Sequence, residues 1–460
     1  MNNLILDTDS YKASHYLQYP PGMEGMFSYI ESRGGRYDRT LFFGLQYILK
    51  RYMTQRVTMD MIEEAEAFLR VHGEPFPREG WEYIVRECDG RLPLKIRAVP
   101  EGLIIPTHNV LVTIESTDPR VFWVVGWMET QLMRVWYPIT VATQSHFIKQ
   151  DILAALEKSA DDPQSEIGFK LHDFGARGVS SRESAEIGGA AHLVNFMGSD
   201  TIAGVWCANT YYHSPMAAFS IPAAEHSTIT AWGKAREVDA YRNILRQFAK
   251  PGALVACVSD SYDLANAVTN LWSKQLRDEV INSGATVVIR PDSGDPPQIV
   301  RFTLEQLDAA FGHTINSKGY RVLNHVRVIQ GDGVNRDSIR AILNHALDGG
   351  YSASNITFGM GGALLQQLNR DTQKFAMKCS EVTIHGERIP VYKDPTTDHT
   401  KKSKAGRLDL IETSEGYETI ELNGKDSDER SVMRTVFQDG ELLYDQTLDE
   451  IRARANAAPK

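Results

Sequence analysis

Cysteine is scarce in this sequence: Cys88, Cys207, Cys257 and Cys379 stand far apart, with no Cys-x-x-Cys and no Cys/His cluster. That spacing indicates neither a disulfide framework nor a zinc site, and makes reduced thiols the simpler reading. Positive charge is short as well, the chain carrying a formal −10 at pH 7. A broad phosphate-neutralising surface for nucleic acid is therefore not expected, while a local basic pocket remains compatible with the composition. No apolar run approaches the ~20 residues needed to cross a bilayer, and the opening "MNNLILDTDSYK" has no basic stretch followed by an apolar one. The expectation is a cytoplasmic protein with neither a membrane nor a nucleic-acid partner.

Low-complexity blocks and Pro/Ser linkers are missing too, so domain limits must be read from changes of pattern. At 460 residues and 42% hydrophobic, the chain is long enough for two or three domains. Over 1–150 the text is mixed: "TMDMIEEAEAFLRVHG" predicts an amphipathic helix, and "LPLKIRAVPEGLIIP" and "NVLVTIEST" predict strands around a Pro/Gly turn. The apolar stretch from "VFWVVGWMET" to "DILAALE" has helical spacing and reads as buried core or subunit contact. Within 151–375 a repeated grammar takes over, in which a β-rich run ends in a polar or Gly-rich turn and leads into a helix. Examples are "FKLHDFGARG", "ALVACVSDSYD", "TVVIRPDSGDP", "VRVIQGDGV" and "ITFGMGG". Such units, recurring at roughly 30 to 40 residues, predict an α/β fold: an irregular TIM-like βα barrel with its polar turns on one face. Strand signals after 376 predict that 376–460 joins 1–150 in a second, mixed α+β domain.

The strand-end turns gather His172, Asp173, Arg177, Asp200, Asp260, Arg290, Asp292, Ser293 and Asp332 with Gly331, Gly333, Gly359, Gly361 and Gly362. Gly-rich turns late in a barrel suit a phosphate, or serve only as tight turns. Asp292 and Asp332 suit ribose hydroxyls or Mg²⁺, or simply cap the next helix. Asp200 in "GSDTIAG" carries the same capping alternative. His226, in "PAAEHSTITAWG" beside Glu225, is in isolation a structural histidine.

In order along the chain, "DTDSYKASHYLQYPP", "LHDFGARGVSS", "PAAEHSTITAWG", "VSDSYD", "IRPDSGDP", "VIQGDGV", "FGMGGALLQQLNRD", "KCS" and "KDP" resemble the nicotinamide phosphoribosyltransferases, over about residues 5 to 450. The short "SRGGRYDRT" before "LFFGLQYI" resembles the bacterial-type members. The resemblance implies phosphoribosyl transfer from phosphoribosyl pyrophosphate to nicotinamide, giving nicotinamide mononucleotide and diphosphate in NAD salvage. It implies Mg²⁺, ATP as a co-substrate that phosphorylates His226, and a homodimer with active sites at the subunit interface. By the same resemblance Phe174 and a partner subunit's Tyr11 hold the pyridine ring, with Arg177 beside it and Asp200 accepting from the carboxamide. Arg290, Asp292, Gly331, Asp332, Gly361 and Gly362 match the ribose and phosphate shell, with Asp260 nearby. His226, Asp260 and Asp292 make up the catalytic group. Arg33, Arg370, Lys378 and Lys393 match the diphosphate cations. Phe219, Ala256 and Phe169 depart from the family, standing where a Tyr or polar residues are expected.

Elementary physics agrees with these implications. Offset stacking contributes about 0.5 to 1.5 kcal/mol per aromatic pair beyond area burial. A carboxylate about 4 Å from Asp200 would be repelled by ~4 kcal/mol at an effective dielectric near 20, which favours the amide over the acid. The run "YKDPTTDHTKKSKAGR", with Lys393, Lys401, Lys402, Lys404 and Arg407, supplies cations for a departing diphosphate. Competing readings are a nicotinate phosphoribosyltransferase, a barrel sugar-phosphate aldolase or isomerase, and a non-catalytic dimeric binder. The aldolase or isomerase needs a Schiff-base lysine or an acid/base pair at strand ends; Lys170 is the one lysine within a predicted strand core, and the sequence offers it no convincing partner.

Overall fold

The computed structural model describes residues 3–397 and 402–457. The chain divides into two compact units. One is Met1–Thr143 with Thr210–Ser214 and Leu368–Lys460, and the other is Gln144–Asn209 with Pro215–Gln367.

The first unit is built on a seven-stranded sheet whose order mixes both ends of the chain: Glu387–Pro390, Phe375–Ile384, Met23–Ser32, Val110–Ser116, Leu94–Ala98, Arg434–Gln438 and Glu441–Leu442. Most of the strand signals after 376 thus share a sheet with those of the N-terminal part, while Leu408–Thr413 and Gly416–Glu421 pair in a two-stranded sheet of their own. Leu94–Ala98 shows why it is a strand, since Leu94, Ile96 and Ala98 are buried while Lys95 and Arg97 alternate toward the other face. The helix Met59–His72 falls where the amphipathic pattern placed it, capped by the Thr58 side chain at Met61 N–H and ended by Gly73 at φ 97°. Trp81, Trp123 and Trp127 pack edge-on, with ring centres 5.2 to 5.6 Å apart, as one aromatic cluster. Tyr11 lies on the short 3-10 helix Ser10–Leu17.

The second unit carries six parallel strands: β1 (Leu171–Asp173), β2 (Gly198–Ser199), β3 (Leu254–Val258), β4 (Thr286–Arg290), β5 (Val326–Gln330) and β6 (Ile356–Met360). They lie in the order β2-β1-β6-β5-β4-β3. Helices follow the strands, among them Arg182–His192 after β1, Ile202–Tyr212 after β2, Pro296–Phe311 after β4 and Arg336–Asp348 after β5. The expected βα grammar is present, with β2 an additional strand too short to leave a sequence signal. The two edges of the sheet are joined by residues 219–224. Phe219 bridges Gly198 of β2, and Ala223 bridges Ala256 of β3, both in parallel. Four backbone bonds hold this strap: Phe219 N–H to Met197 O at 2.8 Å, Ser199 N–H to Phe219 O at 3.2 Å, Ala256 N–H to Pro222 O at 2.9 Å and Ala224 N–H to Ala256 O at 3.0 Å.

The ring interior is not filled. Ala256, Val288 and Ile329 from β3, β4 and β5 form an inner apolar cluster against which Phe174 and Ile221 pack, and together they line a mostly apolar cavity of about 610 Å³. Small and branched inward residues leave this space where larger ones would close it. No helix among the described residues is long and apolar enough to cross a membrane.

Candidate active site

A second cavity, of about 560 Å³, opens among the turns that follow the strands. Its lining includes Phe174, Arg177, Asp200, His226, Arg290, Asp292, Gly331, Gly361 and Gly362. Phe174 and Asp200 also line the apolar cavity inside the ring, and they are the two residues common to both linings. Of the four residues expected at the ring, Phe174 and Asp200 therefore stand where a hydrophobic slot meets a polar one; Arg177 lines the polar cavity alone, and Tyr11 belongs to the first unit and to neither lining.

Glycine creates the slot. A Cβ at Gly359 would lie 1.9 Å from the Phe174 ring, so the aromatic face rests directly on the β6 backbone. A Cβ at Gly331 would meet Arg290 Nε at 3.0 Å, and one at Gly178 would meet Gly362 Cα at 3.3 Å. The turns at Gly178 and Gly362 approach each other as bare backbone, and the turn at Gly331 lies against the Arg290 side chain.

The capping alternatives fall away one by one. The helix after β4 is capped by Asp295, the helix after β3 by Asp263 and the helix after β5 by Asn335. Asp292, Asp260 and Asp332 cap none of these three helices. Asp292 Oδ1 instead accepts from Arg290 Nε at 3.1 Å and Nη2 at 2.8 Å. Asp260 Oδ2 accepts from Asp292 N–H at 3.1 Å and from the Ser293 hydroxyl at 2.6 Å, while its buried Oδ1 has no hydrogen-bond partner among the described residues. Asp332 is exposed beside Gly331 and lies outside the lining of either cavity.

His226 begins the helix His226–Thr230. Its Nδ1 is 3.1 Å from Ser261 Oγ, and its Nε2 is 3.4 Å from Asp292 Oδ2 and 3.9 Å from Asp260 Oδ1. Glu225, its sequence neighbour, is not the residue that orients it: that carboxylate accepts from Ser227 Oγ and faces Arg177 Nη2 at 3.9 Å. Ser261 was missed by the sequence reading, although it directly follows Asp260 in "VSDSYD".

Asp200 is exposed, and the Ser220 hydroxyl donates to its Oδ1; this is its one side-chain hydrogen bond, and it forms no ion pair, among the described residues. His172, also lining the apolar cavity, has its pKa lowered by burial, while the Asp200 charge pulls the other way. Asp173 is fully buried; burial pushes its carboxyl up to about 6 against the pull of the Gly175 N–H. Lys170 does have a partner. Its Nζ lies 2.9 Å from Glu166 and donates to Ser354 O at 2.9 Å; burial lowers its pKa while the Glu166 charge pulls it back up.

The expected anion-binding residues Arg33, Arg370, Lys378 and Lys393 belong to the first unit. Burial lowers the pKa of Lys378 against the pull of Glu129, and the charges of Arg33, Lys393 and Arg370 lower it further. Lys378 thus lies within electrostatic reach of the other three cations. Arg33 Nε pairs with Glu31 at 3.0 Å, yet its buried Nη2 has no hydrogen-bond partner among the described residues. The basic run is divided. Lys404 binds Glu31, Lys402 lies 3.5 Å from Asp394, and Arg407 is held by Glu115 at 2.6 Å and Glu381 at 3.3 Å. Arg407 therefore acts as an internal tie and not as part of an open basic patch. Lys401 falls outside the described residues. Tyr11 is 55% exposed, with its ring centre 4.9 Å from that of His15.

Comparison with known proteins gives a consistent result. The description "Nicotinate phosphoribosyltransferase (NAPRTase) family" matches residues 169–441, and "Nicotinamide phosphoribosyltransferase, N-terminal domain" matches residues 3–96. The chain is 58% identical to a nicotinamide phosphoribosyltransferase of Xanthomonas campestris over 465 residues, covering 100% of this chain and 99% of that one. It is 30% identical to a nicotinamide phosphoribosyltransferase of Acinetobacter baylyi, covering 97% and 95%. Its fold resembles nicotinate-nucleotide pyrophosphorylase from Pyrococcus furiosus, with TM-score 0.62 and 15% identity over 99% of this chain and 95% of that one. It also resembles human nicotinic acid phosphoribosyltransferase, with TM-score 0.58 and 15% identity over 98% and 93%.

Proposed function

The chain belongs to the nicotinate phosphoribosyltransferase family, and from that premise we propose that it transfers the phosphoribosyl group of phosphoribosyl pyrophosphate to nicotinamide, yielding nicotinamide mononucleotide and diphosphate in NAD salvage. The observation that carries the choice of nicotinamide is Asp200. It stands at the junction of the two cavities beside Phe174, exposed and without an ion pair among the described residues. An uncompensated carboxylate accepts from a carboxamide N–H and repels a nicotinate carboxylate by ~4 kcal/mol at about 4 Å.

In this reading the ring of six strands closed by residues 219–224 is an irregular TIM-like barrel whose turns hold the nucleotide. Phe174 stacks on the pyridine, and the exposed Tyr11 of a second copy covers the other face, so that a homodimer completes each site. Arg290 and Asp292 hold the ribose with the turns at Gly331, Gly361 and Gly362, which admit the 5′-phosphate against bare backbone. As the ring nitrogen bonds to the anomeric carbon, the bond to diphosphate breaks and positive charge develops on the ribose. Arg33, Arg370, Lys378 and Lys393, three of which already act electrostatically on Lys378, stabilise the departing anion. Mg²⁺, when bound, supplies further positive charge to the diphosphate oxygens. The carboxylates that fit such an ion are Asp260, with its unpartnered Oδ1, and Asp292; so small a protein donor set suits a metal held mainly by phosphate and water.

ATP enters through His226. Attack by an imidazole nitrogen on the γ-phosphate forms the N–P bond and releases ADP, and the phosphohistidine then adds negative charge beside the turns. Such an enzyme works in the cytoplasm on soluble substrates.

The deciding experiment is incubation of the purified protein with phosphoribosyl pyrophosphate, Mg²⁺ and either pyridine, with products read by mass spectrometry. Nicotinamide mononucleotide is expected to form at a kcat/KM at least a hundredfold above that for the nicotinate product. Faster turnover of nicotinate would overturn the assignment.

A further inference from the structure

A carboxylate that must discriminate an amide from an acid needs a fixed direction, and an aspartate does not provide one alone. Its terminal torsion is broad, so an exposed Asp samples many orientations unless a donor pins one oxygen. Asp200 has such a donor. The Ser220 hydroxyl donates to Oδ1, and no other side chain among the described residues hydrogen-bonds the Asp200 carboxylate. The donor itself is immobilised, since Ser220 lies in the strap whose Phe219 is bonded to β2 and whose Pro222 and Ala224 are bonded to β3. The acceptor's backbone is fixed as well, with Asp200 N–H donating to Asp173 O at 3.0 Å. Both partners face the apolar cavity, where Ile221 and Ala223, on either side of Pro222, also line the wall.

We propose that Ser220 is the positioning residue for amide recognition: its hydroxyl occupies Asp200 Oδ1, leaving Oδ2 to accept from the exocyclic N–H of a pyridine carboxamide. This rests on the reading of Asp200 given above and deepens it. Ser220 need not touch the reacting atoms. It limits the orientations that the carboxylate adopts, so the binding geometry exists before the ligand arrives.

The experiment compares Ser220→Ala, Ser220→Thr and Asp200→Asn with the full-length protein, measuring kcat and KM for nicotinamide and kcat/KM for nicotinate. Ser220 is exposed, so loss of its hydroxyl leaves the core intact. Ser220→Ala is expected to raise KM for nicotinamide about tenfold with kcat within about twofold, and to lower the amide-over-acid ratio about tenfold. Ser220→Thr keeps the hydroxyl and is expected to restore both to within about threefold of the original protein. Asp200→Asn is the control for the underlying reading and is expected to abolish most of the discrimination. If Asp200→Asn collapses the ratio while Ser220→Ala leaves KM and the ratio unchanged, the positioning role is refuted and the Asp200 reading survives. If Asp200→Asn leaves the ratio intact, the Asp200 reading fails and this inference with it.

Discussion

The guanidinium carbon of Arg290 stands 5.5 Å from the centre of the Phe174 ring, and the same guanidinium holds Asp292 Oδ1 through two nitrogens. One planar cation thus ties the aromatic slot to the carboxylate that faces His226. A lysine cannot reproduce this, because it lacks the rigid fork. Arg290→Lys is expected to lower kcat/KM about a hundredfold while thermal unfolding shifts by only a few degrees; steady-state kinetics beside a melting curve checks both.

Gly359 tests the aromatic slot from beneath. A methyl at this position meets the Phe174 ring at 1.9 Å, so Gly359→Ala must displace the ring or the strand. The expected result is a KM for nicotinamide raised more than tenfold and a stability loss of about 1 to 3 kcal/mol. Titration with nicotinamide and urea unfolding separate the two effects.

Asp173 gives the pH prediction. Its folded pKa, pushed up to about 6, lies above the ordinary aspartate value of 3.8. The folded protein therefore holds this proton more tightly than the unfolded chain, and stability present at low pH is lost as pH rises toward 6. Asp173→Asn removes the titration. Its stability relative to the original protein is expected to improve between about pH 4 and 6 and then level off, by about 3 kcal/mol in total. Urea unfolding at half-unit pH steps measures the curve, and a flat difference contradicts the assignment.

The basic run separates by its partners. Arg407 lies over Phe27, with its guanidinium carbon 4.7 Å from the ring centre, between Glu115 and Glu381. Removing it strands Glu381 and leaves Glu115 to Lys95 alone, 3.4 Å away, so Arg407→Ala is expected to cost about 3 kcal/mol of stability. Lys393→Ala is expected to leave stability within about 0.5 kcal/mol and to raise KM for phosphoribosyl pyrophosphate several-fold.

For His226, substitution by alanine is expected to leave measurable phosphoribosyl transfer and to abolish its stimulation by ATP. Undiminished stimulation in that variant refutes the phosphohistidine.

The strand-turn-helix grammar of the second unit was legible because apolar β-rich runs ending in polar turns leave a clear periodic trace, and the carboxylates of those turns came to line one cavity or border it. The strap was not legible. "FSIPAA" has a proline and no alternation, and it pairs through isolated bridges that no periodicity announces. Nor was the environment of His226, since Ser261 comes to it across 35 residues of chain. The partition of the basic run followed from strand register: Phe27 pairs with Glu115 on one side and Glu381 on the other, which brings two distant acids to one arginine. Sequence shows charges in a run, but only pairing shows which of them are already neutralised.

The strap has a mechanical meaning as well. Ser220 and His226 sit on the same short piece of chain, which is anchored to β2 and β3 before it reaches the imidazole. Little slack remains in so brief a tether, and a load applied at one end has a covalent route to the other. In the reading proposed above, the serine that steers the carboxylate and the histidine that receives the phosphate are two points on that one segment.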